Sequence, residues 1–287
     1  MAVSVVTDST TYIPSALIDE LHIDVVSLYI YDGDRHELES EMDFQAFYHR
    51  LEDMEVLPKS ALPSPETIKE SFMRIIERGD DVLAVFLSSE MSGTVEAANM
   101  VADMIRKEHP EARITVVDSE TNSMQEGYAV LAGARAAAAG ATLEECEKAA
   151  RDTMARSRFI FAPQTLEYLK RGGRIGRASA LLGTLIKLVP ILTVENAVTS
   201  TYAKVRTYPK ALATMRDKML ADAEAAGGFK NVCLHYICDK SLAEMFQREY
   251  IEPALGHKVD LIALGPVIGT HVGPAVGIVY ETVNPLR

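Results

Sequence analysis

The sequence predicts an α/β fold of two α/β domains, the first with a mostly parallel sheet and the second with a mixed sheet flanked by helices. In residues 1–157, segments rich in β-branched residues alternate with helix-like segments, which is typical of a parallel sheet. In residues 158–287, two predicted strands follow each other without a helix between them. The composition, 48% hydrophobic and 24% charged, is that of folded globular domains and excludes a disordered or collagen-like chain.

The first domain is expected to span residues 1–157. Its predicted strands cover residues 3–7, 25–31, 81–87 and 113–117, and its predicted helices cover residues 14–21, 44–54, 65–78, 125–139 and 142–156, with another that ends near residue 107. Pro14 is expected to open the first helix, because proline is favoured at the first helical position. The turn signal Asp32-Gly33-Asp34 is expected to end the second strand.

The second domain is expected to span residues 158–287. Its predicted strands cover residues 158–162, 189–194, 203–207, 232–237, 259–264 and 276–283, and its predicted helices cover residues 164–170, 209–226 and 241–253. The apolar residues 178–186 and 189–194 exceed what one helix and one strand need, so part of this run is expected to line an internal cavity. Ordinary core packing is the alternative for most of these side chains.

Three strands of the first domain end in short polar segments: residues 7–11, residues 88–94, and Asp118-Ser119. The carboxyl ends of parallel strands meet at one edge of a sheet, where ligands bind in α/β proteins. We therefore expect these segments to form one polar rim. The simpler alternative is that Ser, Thr and Asp cap helices there.

Charge limits the classes of partner. The 29 basic and 41 acidic side chains give a net charge of −12, which argues against nucleic acid as a partner. Residues 158–218, however, contain eleven Lys or Arg and only three Asp or Glu. Such a basic zone suggests a phosphate, an acidic protein face or a transient contact with a membrane surface, with a merely solvated surface as the alternative.

Several common functional motifs are missing from the sequence. It has no phosphate-binding GxxxxGK[ST] loop, no GxGxxG after a strand, no HExxH and no GxSxG. The seven histidines are scattered, so no metal site is expected. Three cysteines without a CxxC pair, and a start without a basic signal region, predict a reduced, cytoplasmic location.

The strongest positive feature is Ser92-Gly93-Thr94, placed between a buried strand and a helix. Ser92 is expected to be the N-cap residue. The backbone amides that follow, together with the helix dipole, would then bind a carboxylate or a phosphate. A helix cap without a ligand is the alternative interpretation.

Two further segments carry candidate residues. His271 lies in Gly-Thr-His-Val-Gly-Pro, a connection between strands, where it is expected either to face an anion or to bond to the backbone. The glycine-interleaved arginines Arg171 and Arg174 are suited to bidentate binding of a carboxylate or phosphate. The polar segment 59–64 before a helix looks, by itself, like a linker.

Five motifs together resemble the DegV family of fatty-acid-binding proteins, which includes the carrier subunit of bacterial fatty acid kinase. They are residues 7–10 (Thr-Asp-Ser-Thr), 89–94 (Ser-Glu-Met-Ser-Gly-Thr), 117–119 (Val-Asp-Ser), 169–175 (Leu-Lys-Arg-Gly-Gly-Arg-Ile) and 269–274 (Gly-Thr-His-Val-Gly-Pro). The resemblance covers the whole chain.

The resemblance implies a bound long-chain fatty acid whose carboxylate is held by Ser60, Ser92, the Gly93 amide and His271. It also implies that Arg171 or Arg174 presents the head group to a separate kinase subunit. Ser60-Ala61-Leu62 departs from the family's usual Thr-Ser-Gln. The hydroxyl is kept, but two polar groups are lost, which leaves the chain-length preference and the coupling to the kinase open.

The leading hypothesis is therefore a cytoplasmic lipid carrier with no cofactor beyond its bound fatty acid. A separate kinase would phosphorylate the fatty-acid carboxylate to an acyl phosphate, so no catalytic residue is assigned to this chain. One alternative is a hydrolase or phosphotransferase with Ser92 as nucleophile and His271 as base. Another is a domain that binds a sugar or polyol phosphate.

Overall fold

The structure is a computed structural model that describes residues 2–51, 54, 56–181 and 188–286. In chain order, the elements of residues 2–154 are β1 (Val3–Asp8), α1 (Ser15–Leu21), β2 (Asp24–Val26), β3 (Tyr29–Asp32), β4 (Arg35–Leu38), α2 (Phe44–Leu51), β5 (Lys59–Ala61), α3 (Pro65–Ile76), β6 (Asp81–Phe86), α4 (Thr94–Glu108), β7 (Ile114–Asp118), α5 (Ser123–Ala138) and α6 (Leu143–Met154). Short 3-10 helices lie at Ser9–Thr11 and Glu39–Glu41.

The later elements are β8 (Ser157–Pro163), α7 (Glu167–Arg171), β9 (Val189–Glu195), β10 (Val198–Val205), α8 (Tyr208–Ala226), β11 (Phe229–Ile237), α9 (Lys240–Phe246), α10 (Glu252–Leu255), β12 (Asp260–Ala263), α11 (Pro266–Val272) and β13 (Ala275–Thr282). A 3-10 helix covers Gly176–Leu181, and a π-helical turn at Gln247–Ile251 joins α9 to α10.

The described strands form three sheets. The first has the order β2-β1-β6-β7 and is entirely parallel. The second has the order β10-β9-β8-β13-β11-β12 and is mixed, since only β11 and β12 run parallel. The predicted α/β class, with one parallel and one mixed sheet, is confirmed. The division into domains at residue 157, where β8 begins, stays a prediction.

The sequence did not predict the third sheet, which is antiparallel with the order β4-β3-β5. The apolar run at residues 25–31 was expected to be one strand, but β2 joins the first sheet and β3 joins the third. The segment 59–64, expected to be a linker, contributes the edge strand β5. Pairing partners far along the chain decide such assignments, and local pattern does not contain them.

Burial follows strand position. β6 lies between β1 and β7, and β13 lies between β8 and β11, and every residue of both strands is buried. The largest apolar cluster joins side chains of both main sheets, among them Val5, Leu83, Phe161 and Leu192. The candidate site is therefore built on rigid strands and on the short segments that leave them.

Helix ends are fixed by local chemistry. α6 begins with a capping box in which Thr142 and Glu145 satisfy each other's backbone amides. α8 begins after Thr207, whose side chain accepts from the Lys210 amide, and ends at Gly227 in the left-handed conformation. Within the described residues, no helix combines the length and the apolar character that crossing a bilayer requires.

Candidate functional site

A cavity opens between the second sheet, the third sheet and α11. Most of its lining is apolar: Leu28, Ala61, Leu62, Leu87, Met91, Phe159, Phe161, Leu169, Val194, Ile237, Leu264, Val267, Ile268, Val272, Ala275 and Val276. The rings of Phe159 and Phe161 stack with centroids 5.0 Å apart. This mostly apolar surface suits a hydrocarbon ligand.

Ser60 and His271 meet in the lining of this cavity. The distance between Ser60 Oγ and His271 Nε2 is 2.8 Å, although the two residues are 211 positions apart in sequence. Ser60 lies on β5 opposite Ile30 of β3, and His271 lies in the last turn of α11. The segment around His271 was expected to be an irregular connection, so the helix corrects that prediction. Pro266 at its first turn favours the helix.

Close packing around His271 requires glycine at two positions. A Cβ at Gly172 would overlap His271 Nδ1, so only glycine fits where α7 ends. Gly273, which ends α11, has a φ of +68°, and the Tyr168 ring packs against its Cα. Both positions belong to motifs that the sequence analysis singled out, and both need glycine for steric reasons.

Ser92 and Gly93 also line the cavity. Gly93, not Ser92, is the N-cap residue of α4, so that prediction was wrong by one position. The Ser92 hydroxyl instead lies 2.9 Å from Thr94 Oγ1 and 3.4 Å from the Thr94 amide. Gly93 has no side chain to cap the first amides of α4, and it lies in the cavity lining at the positive end of that helix.

Arg174 connects these two groups of residues. Its Nε donates to the Met91 carbonyl, next to Ser92, at 3.1 Å, and its Nη1 donates to the Gly172 carbonyl at 2.8 Å. Burial and the Arg174 charge lower the pKa of His271 to about 4, against the opposing effect of the Gly172 backbone. The imidazole is therefore neutral at physiological pH, and Arg174 supplies the positive charge beside it.

A second cavity adjoins this polar cluster. It shares Ser60, Arg174 and His271 with the apolar cavity and adds Lys59 and Arg171. Its described lining contains no carboxylate. The Ser60–His271 pair therefore has an apolar space and a basic space as its neighbours.

The predicted polar rim is formed only in part. Asp8 accepts from the Leu87 amide at 2.9 Å, and Asp118 accepts from the Ser89 amide at 3.3 Å, so the strand ends do meet. Of the three segments, however, only residues 88–94 line the apolar cavity. Of the apolar run expected to line it, Val194 does so, while residues 182–186 lie outside the described part of the chain.

Sequence reasoning missed several lining residues. Asn122, Thr199 and His235 add polar atoms to the cavity wall. His235 Nε2 accepts from the Met124 amide at 3.2 Å, and Nδ1 lies 3.2 Å from the Ile262 carbonyl. Burial lowers its pKa to about 4. A lone histidine inside a strand gives no signal of such a position. Among the described residues, no group of three or more His, Cys, Asp or Glu could hold a metal ion.

Comparison with known proteins agrees with this architecture. Residues 2–283 match the family model described as "Uncharacterised protein, DegV family". A DegV domain-containing protein from Clostridium acetobutylicum is 41% identical over 294 residues, covering 100% of both chains. Solved structures are similar as well.

The first, described as fatty acid binding of a DegV family protein from Thermus thermophilus, is 30% identical, with a TM-score of 0.83 over 98% of this chain and 99% of that one. The second, DegV from Bacillus subtilis, described as a fatty acid binding protein, is 28% identical, with a TM-score of 0.84 over the same shares. The chain belongs to the DegV family.

Proposed function

We propose that this chain binds a long-chain fatty acid, with the hydrocarbon tail in the apolar cavity and the carboxylate at Ser60, Ser92, the Gly93 amide and His271. The observation that carries the proposal is a largely apolar cavity whose lining includes a compact set of hydroxyl, amide and imidazole groups. Each methylene buried there would contribute roughly 0.8 kcal/mol. Burial of the carboxylate requires hydrogen-bond partners, which the polar set supplies.

The electrostatics suit a single negative charge. His271 is neutral, so it offers one N–H donor without a second formal charge, and the Ser60 and Ser92 hydroxyls can turn to donate. Arg174 lies beside the cluster and offsets the carboxylate charge. This arrangement favours a fatty-acid carboxylate over a sugar phosphate, which would find few partners along the apolar wall.

The chain's role, in this proposal, is that of a cytoplasmic carrier that presents the bound carboxylate to a separate kinase subunit. The basic cavity supports this role, because Arg171 and Arg174 would stabilise a phosphoryl group arriving at the carboxylate or contact the kinase. The excess of basic residues in 158–218 supports a transient contact with an anionic membrane surface during loading.

Native mass spectrometry of the purified protein, followed by titration with palmitate and oleate, tests the binding. We expect co-purified fatty acid and micromolar or tighter affinity. Ser60→Ala and Ser92→Ala should each weaken binding by about tenfold, because each leaves a buried carboxylate short of one partner. Ser71→Ala is the matched control, since Ser71 is a buried serine that bonds to Asp24 away from the cavity. A ligand-free mass together with no thermal shift on adding either fatty acid would refute the proposal.

One observation bears on a serine-dependent hydrolase or phosphotransferase. His271 contacts Ser60, while the Ser92 hydroxyl is bonded to Thr94, so a nucleophile activated by His271 would be Ser60 instead of the predicted Ser92. The low pKa makes His271 a weak base at neutral pH, which disfavours this chemistry. Turnover of a generic ester that is lost in Ser60→Ala and kept in Ser71→Ala would support it.

A further inference from the structure

A buried carboxyl outside the cavity lining holds the helix that carries His271. Glu39 follows β4 and is 1% exposed. Its Oε1 accepts from the Val267 amide of α11 at 2.8 Å and from the Tyr12 hydroxyl at 2.9 Å. Its Oε2 accepts from the Ser9 hydroxyl at 2.6 Å. Three donors from two distant parts of the chain therefore converge on one side chain.

Steric contacts reinforce this attachment. A Cβ at Gly265, just before α11, would meet Glu39 and the ring of Phe44, so the chain approaches these side chains as closely as glycine allows. The Tyr48 hydroxyl donates to the Leu264 carbonyl at 2.7 Å, and its ring packs on Gly269. The start of α11 is thus fixed by hydrogen bonds and by close packing.

The same small sheet holds both ends of α11. Glu39 directly follows β4, and Ser60 lies on β5, and both strands pair with β3. Glu39 holds the first turn of α11 through Val267, while Ser60 meets its last turn through His271. A shift of either attachment would move the His271 ring relative to Ser60.

We propose that Glu39, supported by Ser9 and Tyr12, is a positioning residue that sets α11 so that His271 Nε2 meets Ser60. The inference rests on the proposed fatty-acid site and deepens it. It also gives a role to the segment 7–11, which does not line the cavity: Ser9 orients Glu39, and Glu39 orients the helix. No contact between Glu39 and the fatty acid is required.

The attachment of α11 depends on the acceptor oxygen of Glu39 more than on the charge of its carboxyl group. Burial, with a smaller contribution from Asp8, raises the pKa of Glu39 to about 7, so both protonation states occur near neutral pH. A neutral acid or an amide keeps one carbonyl oxygen for the Val267 amide and the Tyr12 hydroxyl. Glu39→Gln should therefore preserve the attachment, whereas Glu39→Leu removes it while filling similar space.

The full-length protein tests this with two measurements, palmitate affinity and the imidazole ¹⁵N signals of His271 in ligand-free protein, assigned with His271→Gln. We expect Glu39→Leu to weaken palmitate binding by at least about tenfold and to shift the His271 signals, because a buried amide and hydroxyl lose their acceptor. Glu39→Gln should stay within about twofold of the unmodified protein in affinity, with its His271 signals in place.

Glu281→Leu is the matched control for a general loss of stability. Glu281 is also a buried carboxyl, on β13, and accepts from Arg156 at 2.7 Å and Asn231 at 2.6 Å. It should lower the thermal midpoint and leave the His271 signals and the affinity unchanged. If Glu39→Leu fails to fold, the double change Ser9→Ala with Tyr12→Phe removes the supporting donors and should shift the His271 signals in the same direction.

The proposal would be overturned if the His271 signals of Glu39→Leu matched those of the unmodified protein. If Glu39→Leu does not fold, the same outcome in the double variant would overturn it. So would equal shifts in Glu281→Leu. The His271 signals are recorded without ligand, so they test the positioning role of Glu39 independently of fatty-acid binding. If the unmodified protein binds no palmitate, the proposed function is refuted. The His271 signals still decide whether Glu39 positions the helix.

Discussion

The polar segments that follow β1 and β6 have similar residue types but opposite roles. In the segment 7–11, Thr7 donates to the Val85 carbonyl at 2.8 Å, and Thr10 donates to Asp8 from both its amide and its hydroxyl. Both threonines and Asp8 are fully buried. In the segment 88–94, Ser92 is half-buried and lines the apolar cavity.

The difference shows that hydroxyl-rich strand ends become a site only where their groups face an open space. The segment after β1 is closed: Glu126 lies against it, and burial, with the nearby Asp8 charge, raises the pKa of Glu126 well above its ordinary value. The segment after β6 opens where α4 begins, and its Met91, Ser92 and Gly93 line the cavity. The first therefore stabilises the fold, and the second is available to bind.

The largest effect should come from breaking the closed segment. Asp8→Ala removes the acceptor of the Leu87 amide and of both Thr10 donors, so we expect the free energy of unfolding to fall by about 3 kcal/mol. Urea denaturation measures this. Asp8→Asn, which keeps one acceptor oxygen, should lose less. If Asp8→Ala unfolds no more easily than Ser92→Ala, the two segments do not differ as described.

A medium effect should appear in the pH dependence of stability. The pKa of His271 is about 4 in the folded protein and near 6.5 when unfolded, so the unfolded chain takes up the proton first as pH falls. Stability from this residue is complete well above pH 6.5 and is lost as pH falls toward 4, by an amount on the order of 3 kcal/mol.

Comparing His271→Gln with the unmodified protein isolates this contribution. Glu39 acts in the opposite direction between pH 7 and 4.5, because its folded pKa is raised and the folded state gains the proton first. Between pH 7 and pH 5 the thermal midpoint of the unmodified protein should therefore fall more, or rise less, than that of the variant. An identical change of the midpoint in both proteins would mean that His271 is not held neutral by burial.

The smallest effect should come from the wall of the open region. Leu62 lines the cavity and is 37% exposed, where the family pattern usually has a glutamine. Leu62→Gln should change palmitate affinity by no more than about threefold, since the side chain is only partly removed from water. Titration with fatty acids of increasing length checks this. Ala61→Ser is a second variant that restores a residue of the usual family pattern. A loss above tenfold would place Leu62 in the buried part of the tail site.

Much of the fold was predictable from local pattern. The buried strand β6, the helix α3 that starts at Pro65, and α6 with its Thr142 cap all carry signals within a few residues of their ends. The split of residues 25–31 between two sheets was not predictable, because Val26 pairs with Asp8 and Tyr29 pairs with Leu38 and Ala61. Such pairings depend on where distant strands lie.

The candidate site also contains residues that the sequence predicted and residues that it did not. Ser92, Gly93, His271 and Arg174 were identified from glycine-rich motifs, whose close backbone contacts limit them to few residue types. Glu39 and His235 were missed, because a single buried titratable residue in a strand or turn resembles any surface residue in sequence.

The sequence by itself determined the α/β class, most element positions and the residue types able to bind an anion, since periodicity, caps and glycine requirements act over a few residues. Only the tertiary structure decided that Ser60 meets His271, that Glu39 holds the start of α11, and that one hydroxyl segment is closed while the other faces a cavity. Those outcomes depend on side chains up to 228 positions apart, whose encounter is set by the packing of whole sheets.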